Sequence, residues 1–201
     1  MTNSFFIAPI VEGHGEVQAV PILLKRLAAE ANPEARLQLN PALRVKAASF
    51  VNDNDYFERY LELAARKARP WANSCVLILL DCEDACPAEL GPKLLQKAST
   101  TRPDVTMFVL LAYREYETWF LSAARSLRGV CGLPADLEPP DDSESIRNAK
   151  GWLSVRMRLP YNETDHQPRL TAAFAFQEAA TVDSFARALQ KLRLFFNPTS
   201  Q

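Results

Sequence analysis

Apolar side chains occur along this chain in short uninterrupted runs that alternate with amphipathic segments. Two runs are continuous, at residues 5–11 and 75–80. A third, at residues 105–111, is broken only by Thr106, and a fourth, at residues 43–47, alternates apolar with polar side chains. Uninterrupted apolar runs of this length are typical of strands whose two faces are both buried in a parallel sheet. The pattern therefore predicts a sheet of four strands, mostly parallel.

Segments with apolar residues at helical spacing separate the predicted strands. They cover residues 16–31, 53–69 and 87–99, and another helix is expected to begin near Arg114. Prolines mark several of their limits, because proline disrupts a helix interior but suits its first turn. Strands that alternate with helices predict an α/β fold with a Rossmann-like, mostly parallel sheet flanked by helices.

The last third of the chain has a different pattern, in which a proline-rich loop at residues 133–145 precedes helical segments. The helical segments are expected at residues 145–157, 171–180 and 182–195. We therefore expect an α/β domain at residues 1–130 and a helical C-terminal extension at residues 131–201 that packs on it.

Composition limits the function classes that fit this fold. The 201 residues, 48% of them hydrophobic, suit one core, and a formal net charge of −1 gives no overall basic field for nucleic acid. A nucleic-acid surface would then have to be local. The four cysteines have neither zinc-ribbon nor CxxC spacing, so we expect reduced thiols in a cytoplasmic protein. Neither a signal peptide nor a membrane helix is expected.

The first predicted strand ends at an acidic, glycine-rich turn. Glu12 follows the strand, and Gly13, His14 and Gly15 lead into the helix. Ligands of open α/β sheets bind beyond the carboxyl ends of the strands. Glu12 is therefore a candidate catalytic and metal-binding carboxylate, and the glycine turn is a candidate substrate-binding phosphate cradle. The alternative is a tight turn that places Glu16 favourably near the helix N-terminus.

Three acidic residues follow the third predicted strand, at Asp81, Glu83 and Asp84. Carboxylates this close repel one another unless a cation or solvent separates them. Mg²⁺ takes oxygen ligands, usually one or two carboxylates together with substrate phosphates. These residues are therefore candidate ligands for Mg²⁺ or Mn²⁺, and Asp81 is also a candidate catalytic residue. The alternative is an acidic loop that caps the helix beginning at Pro87.

The segment after the fourth predicted strand adds further candidates. Glu115 or Glu117 would supply another carboxylate to the site, and Arg114 would contact substrate. The alternative is that Glu115 and Glu117 are acids of a first helical turn, where the helix dipole favours them. Trp119 is expected in the core rather than stacked on a base.

A polar cluster at residues 161–169 is expected to be a loop between helices. If it folds over the acidic crevice, Gln167 or Arg169 would hold a phosphate, and His166 would be a general base. The alternative is a solvated loop without a role in chemistry.

Four segments, at residues 11–16, 79–87, 114–120 and 165–167, carry a resemblance to known proteins. The strand ends at the first two resemble the two motifs of TOPRIM domains, which occur in topoisomerases, primases and the overcoming-lysogenisation-defect nucleases. All four together more closely resemble a bacterial family called domain of unknown function 4276. This resemblance extends over most of the chain.

The resemblance implies a TOPRIM-type fold and Mg²⁺-dependent cutting or joining of phosphodiesters, in a phage-defence or repair system that often includes an ATPase. It gives Glu12 the role of general acid or base and Asp81 and Glu83 the metal. Glutamate stands at position 83 where TOPRIM domains have aspartate, so Glu83 and Asp84 both remain candidates for the second ligand. Glu117 would be an additional acid near the metal.

Three functions follow from these residues. The leading hypothesis is a Mg²⁺-dependent, TOPRIM-like endonuclease or phosphodiesterase acting on nucleic acid, with a partner ATPase supplying part of the grip. The first alternative is an aspartate-based phosphate-transfer enzyme with Asp81 as nucleophile. The second is a non-catalytic regulatory or binding subunit of an ATPase system.

Overall fold

Five parallel strands form one sheet in the computed structural model, which describes residues 3–197. The strands are β1 (Ser4–Val11), β2 (Arg36–Leu39), β3 (Leu43–Arg44), β4 (Ser74–Asp81) and β5 (Thr106–Ala112). Their order is β2-β1-β4-β5, and β3 pairs with the end of β1. Because β4 occupies the other side of β1, β2 and β3 act as two halves of one interrupted strand.

Nine α-helices surround the sheet in this described part of the chain. They are α1 (Glu16–Ala31), α2 (Ala47–Asn52), α3 (Asn54–Ala68), α4 (Pro87–Thr101), α5 (Thr118–Ser122), α6 (Ala149–Ser154), α7 (Glu163–Ala173), α8 (Phe176–Ala179) and α9 (Asp183–Phe196). Three short 3₁₀ turns lie between α5 and α6. No helix within residues 3–197 is long and apolar enough to cross a membrane.

Helices cover both faces of the sheet, which explains the uninterrupted apolar runs. On one face, Ile7 and Leu77 belong to a core that includes residues of α1, α7 and α9. On the other, Ala8 and Ile78 belong to a core that includes residues of α2, α3 and α4. Successive side chains of a strand point to opposite faces, so the positions of β1 after Ser4, and those of β4 between Ser74 and Asp81, are all buried.

The C-terminal helices share the first of these cores. The Arg26 guanidinium of α1 donates hydrogen bonds to the Thr171 carbonyl oxygen at 2.6 Å and to that of Phe174 at 2.7 Å. These bonds satisfy carbonyls at the end of α7, which a helix leaves without intrahelical partners. Residues before and after position 130 therefore contribute to the same core. The division of the chain into an α/β domain and a C-terminal extension at that position stays a prediction.

The structure confirms the predicted fold class, an α/β fold with a parallel sheet flanked by helices. It also confirms that Trp119 is fully buried and that the cysteines are free thiols. A TOPRIM-type assignment in particular stays a prediction.

Several predicted elements differ from the structure. The pattern gives no sign of β2, because that strand is four residues long and half exposed, and it misses the six-residue α2. The helix expected from Arg114 begins only at Thr118. The loop expected at residues 161–169 is wrong, since most of it lies in α7, whose few apolar residues conceal the helical period.

The first testable prediction concerns Gly15, which lies where the start of α1 meets α7. A Cβ at Gly15 would overlap the Glu163 carbonyl oxygen and the Gln167 side chain. We expect Gly15→Ala to lower the free energy of unfolding by about 1–3 kcal/mol, because overpacking separates the two helices. Denaturant unfolding followed by circular dichroism measures this effect.

Gly91→Ala is the control, because outside its chain neighbours its Cβ would meet only Leu111, at an ordinary 3.6 Å. Alanine is favoured over glycine inside a helix, but Pro92 follows and disfavours a Cβ on the residue before it in helical backbone. We therefore expect the free energy of unfolding to change by less than about 1 kcal/mol. A Gly15 variant as stable as the Gly91 variant would show that α7 does not pack closely on the turn.

Candidate active site at the carboxyl edge of the sheet

Acidic side chains meet where β1, β4 and β5 end. Val11 pairs with Leu79 in the sheet register, which brings the residues after β1 beside the last residues of β4. Glu12 follows β1 directly, and Asp81 is the last residue of β4. Glu117 lies five positions after the end of β5 and is fully buried. The parallel arrangement thus places three carboxylates at one edge of the sheet.

Glu16 is the fourth member of this cluster and is only 2% exposed. Its Oε2 accepts hydrogen bonds from the backbone N–H of Glu12 at 3.0 Å and of Gly13 at 3.1 Å. The side chain therefore shapes the turn that presents Glu12. From the sequence, Glu16 is expected only as an acid near the N-terminus of α1, where the helix dipole favours it. Its position in the apolar stripe of α1, four residues before Val20, is a signal that its side chain is buried.

Glu117 is held by side chains from the C-terminal part of the chain. Its Oε1 accepts hydrogen bonds from the Tyr161 hydroxyl at 2.7 Å and from Gln167 Nε2 at 3.1 Å. Gln167 is itself buried on α7. The structure therefore brings the predicted residue Gln167 to the cluster, where it contacts a carboxylate.

Lys150 supplies the positive charge nearest to these acids and was missed by sequence reasoning. Its ammonium lies 3.2 Å from Glu163 Oε2, and its charge lowers the pKa of both Asp81 and Glu117. Burial lowers the pKa of the Lys150 ammonium, but Glu117 and Glu163 outweigh that effect and hold it above its ordinary value. Nothing in the sequence near Lys150 distinguishes it from other lysines.

Burial is the main cause that raises the pKa of all four clustered carboxyl groups, and neighbouring acids add to it. Burial, followed by the charges of Glu16 and Glu117, raises the pKa of Asp81 well above its ordinary value. Burial raises the pKa of Glu16 to about 7 and that of Glu117 to about 6. Burial and the nearby Glu83 charge raise the pKa of Glu12. Near neutral pH the cluster therefore retains protons unless a cation neutralises it.

Three carboxylate oxygens in the cluster are shielded from solvent and have no hydrogen-bond partner. They are Glu12 Oε2, Asp81 Oδ1 and Glu117 Oε2. Buried polar atoms are nearly always hydrogen-bonded, so each unpaired one calls for an explanation such as an ion. Oxygen donors of this kind fit a hard divalent cation.

The cation site is not already assembled. Within residues 3–197, no three His, Cys, Asp or Glu side chains stand in a metal-coordinating arrangement. Four mutually repelling carboxylates keep their oxygens apart when no cation lies between them. Binding would therefore have to draw Glu12, Asp81 and Glu117 together through side-chain rotation.

The two acids after Asp81 have different surroundings. Glu83 is exposed but close enough to affect the pKa of Glu12. The Asp84 carboxylate forms ion pairs at 2.9 Å with Arg114 and with Arg147. The choice between Glu83 and Asp84 as a metal ligand stays a prediction, and Asp84 would have to leave two arginines to take that role.

Of the remaining predicted site residues, Gly13 bonds to one of the four acids, since its N–H donates to Glu16 Oε2. His14 is exposed, and Gly15 has no free space for a phosphate beneath α7. His166 accepts a hydrogen bond at Nδ1 from the Asn162 backbone N–H at 2.8 Å, which occupies one of its two nitrogens at the start of α7. Arg169 lines a separate cavity with His166.

A more apolar cavity of about 500 Å³ opens elsewhere, between α4, β5 and α9. Its lining includes Leu95, Val109 and Ala188 but none of the four clustered acids. The carboxylates thus occupy a crevice at the sheet edge rather than this cavity.

Comparisons with known proteins give no family for this chain. No family model matches it, and neither a curated protein nor a solved structure is significantly similar to it.

The second testable prediction follows from the raised pKa of Glu16. The folded protein binds a proton here that the unfolded chain has released, so this group stabilises the fold most below pH 4.5 and its contribution is lost as the pH rises through about 7. In Glu16→Gln this titration is absent. We expect the free energy of unfolding of the variant to rise relative to wild type by about 2 kcal/mol between about pH 5 and pH 8.

Urea unfolding in metal-free buffer across that pH range measures the difference. Glu30→Gln, in the same helix but paired with Arg193 outside the cluster, is the matched control and should show no such trend. A difference between Glu16→Gln and wild type that stays constant with pH would contradict the raised pKa.

Proposed function

We propose that this chain is a TOPRIM-like phosphodiesterase that uses Mg²⁺ or Mn²⁺ and acts on nucleic acid. The observation that supports it best is the group of three shielded, unpaired carboxylate oxygens at the carboxyl edge of a parallel sheet. That edge is where ligands bind in open α/β folds. A divalent cation at such a place can neutralise phosphate charge in an enzyme that cuts phosphodiesters.

Glu12, Asp81 and Glu117 would hold the cation, which would polarise a phosphate oxygen and stabilise the leaving oxygen. Glu83 is the further candidate, because its charge already acts on Glu12. The Tyr161 and Gln167 hydrogen bonds fix one oxygen of Glu117 and leave the other available. Such supporting contacts orient metal-binding side chains.

Proton transfer is assigned to Glu12. A raised pKa suits a general base that works near neutral pH, and burial raises that of Glu12. Glu16 positions the Glu12 backbone through its two hydrogen bonds. Lys150 would offset negative charge that develops beside Asp81 and Glu117 during the reaction.

The net charge of the chain bears on its partners. A formal net charge of −1 leaves no general basic surface. A partner, the ATPase that the family resemblance implies, would therefore supply part of the nucleic-acid binding. A cytoplasmic location and a role in phage defence or repair belong to the same proposal.

The alternative with Asp81 as a phosphate-accepting nucleophile has less support. Burial, followed by the charges of Glu16 and Glu117, keeps the pKa of Asp81 high, whereas a nucleophilic carboxylate must be ionised. The same negative charges repel an incoming phosphate. A non-catalytic binding subunit would differ from both enzymes because it would cut no nucleic acid.

The third testable prediction is metal-dependent nicking of supercoiled plasmid. We expect wild type to cut with Mg²⁺ or Mn²⁺, with and without a partner ATPase added, and Glu12→Gln and Asp81→Asn each to lose at least about 100-fold in rate, since each removes a charged group at the reacting phosphate. Agarose electrophoresis over time gives the rates.

Asp104→Asn is the control, because Asp104 is also an aspartate next to a strand end, but it is paired with Arg69 and Arg102 and lies just before β5 at the opposite edge of the sheet. It should cut like wild type. Cutting that survives both Glu12→Gln and Asp81→Asn would exclude this cluster as the active site, and no cutting under any condition would favour the binding subunit.

A further inference from the structure

Asp84 is clamped between two guanidinium groups at the carboxyl edge of the sheet. Arg114 Nη1 and Arg147 Nη1 each lie 2.9 Å from Asp84 Oδ1, and Arg147 Nη1 also donates to Oδ2 at 3.1 Å. The two arginines come from different segments, one after β5 and one before α6. An anion with two oxygens is thus the species that this pair selects.

The backbone beneath the clamp is strained. Glu83 and Arg114 are non-glycine residues with positive φ, 45° and 64°, and the Glu83 N–H donates to the Arg114 carbonyl oxygen at 3.1 Å. Such conformations cost free energy and cluster at ligand clamps and active sites. The backbone hydrogen bond joins the loops after β4 and β5 in the conformation that presents both Asp84 and Arg114.

The two partners in this ion pair differ, because Arg114 is held by another contact and Asp84 is exposed to solvent. The Arg114 side chain is only 15% exposed, and its Nε donates to the Glu144 carbonyl oxygen at 2.9 Å, so its position is set without Asp84. The Asp84 side chain is 69% exposed. Exposed ion pairs contribute little net stability, and another anion can therefore displace Asp84 at small cost.

Both arginines lie on segments that also carry residues acting on the carboxylate cluster. Asp84 is three residues after Asp81, and Arg147 is three residues before Lys150, whose charge acts on Asp81. A phosphate held here would lie at the entrance to the acids, with arginines compensating its charge.

We infer that Arg114 and Arg147 form a phosphate grip, and that Asp84 fills it in the free protein as an internal substitute for a substrate phosphate. Arginine pairs bind carboxylate and phosphate oxygens with the same fork geometry, so one can replace the other. This inference rests on the proposed function for its substrate class, the phosphates of nucleic acid or of a free polyphosphate. Asp84 would then act as a competitor that substrate must displace.

Binding without cutting tests the grip. Fluorescence anisotropy would follow a fluorescein-labelled DNA duplex and an RNA of the same sequence, with Ca²⁺ as the cation, and tripolyphosphate would be the competitor. We expect Asp84→Asn to bind about threefold more tightly than wild type and Arg147→Gln about threefold more weakly, with Arg114→Gln weaker still. In the double variant of Asp84→Asn and Arg147→Gln the gain from Asp84→Asn should shrink.

Controls separate the grip from net charge. Asp104→Asn removes the charge of another aspartate between arginines, and Arg125→Gln removes an exposed arginine paired with Glu138; both should bind as wild type does. Displacement of nucleic acid by tripolyphosphate at low concentration would assign the grip to free polyphosphates, and preference for the DNA or the RNA would assign it to that polymer.

Unchanged or weaker binding by Asp84→Asn would overturn the inference, and so would unchanged binding by Arg147→Gln, a surface variant expected to fold normally. Absence of binding to both the labelled DNA and the labelled RNA would also overturn it. These outcomes are independent of the nuclease proposal: loss of nicking in Glu12→Gln with no effect of Asp84→Asn leaves the chemistry standing without the grip. Tighter binding by Asp84→Asn without any nicking leaves the grip standing without the chemistry.

Discussion

Burial of carboxyl groups close to one another is the constraint on which this structure depends. Glu12, Glu16, Asp81 and Glu117 share one edge of the sheet, and burial, helped by the charges of neighbouring acids, raises the pKa of each. Burying charge that is not compensated costs several kcal/mol per group. The fold tolerates the arrangement because protons, the Lys150 ammonium or a divalent cation can neutralise it, and a cation would replace protons at the pH of most cells.

The rest of the fold shields this edge of the sheet from solvent. Helix α7 lies against α1, where Arg26 binds its last carbonyls and the Tyr116 hydroxyl lies 3.1 Å from Thr171 Oγ1. Gln167, in the middle of the same helix, donates a hydrogen bond to Glu117. The C-terminal segment therefore does more than extend the domain, because it supplies the hydrogen bonds and the desolvation that shift the acids' pKa values.

The sequence predicts the part of this site that local patterns determine. Strands β1 and β4 are recognisable because both their faces are buried, and strand ends place Glu12 and Asp81 correctly. It does not predict Lys150, because its role depends on where α6 packs, or the clamp on Asp84, which joins three separated segments. Helix α7 was missed because its polar residues serve the site and so depart from the apolar period on which helix prediction relies.

The central claim is that the four acids form a site where a divalent cation replaces protons. Titration calorimetry with Mn²⁺ at about pH 6.5, in two buffers of different protonation enthalpy, measures cation binding and proton release together. The account predicts that one Mn²⁺ binds and that about one proton or more leaves, and that Asp81→Asn combined with Glu117→Gln abolishes both. No Mn²⁺ binding, or binding that releases no protons and survives the double substitution, would contradict it.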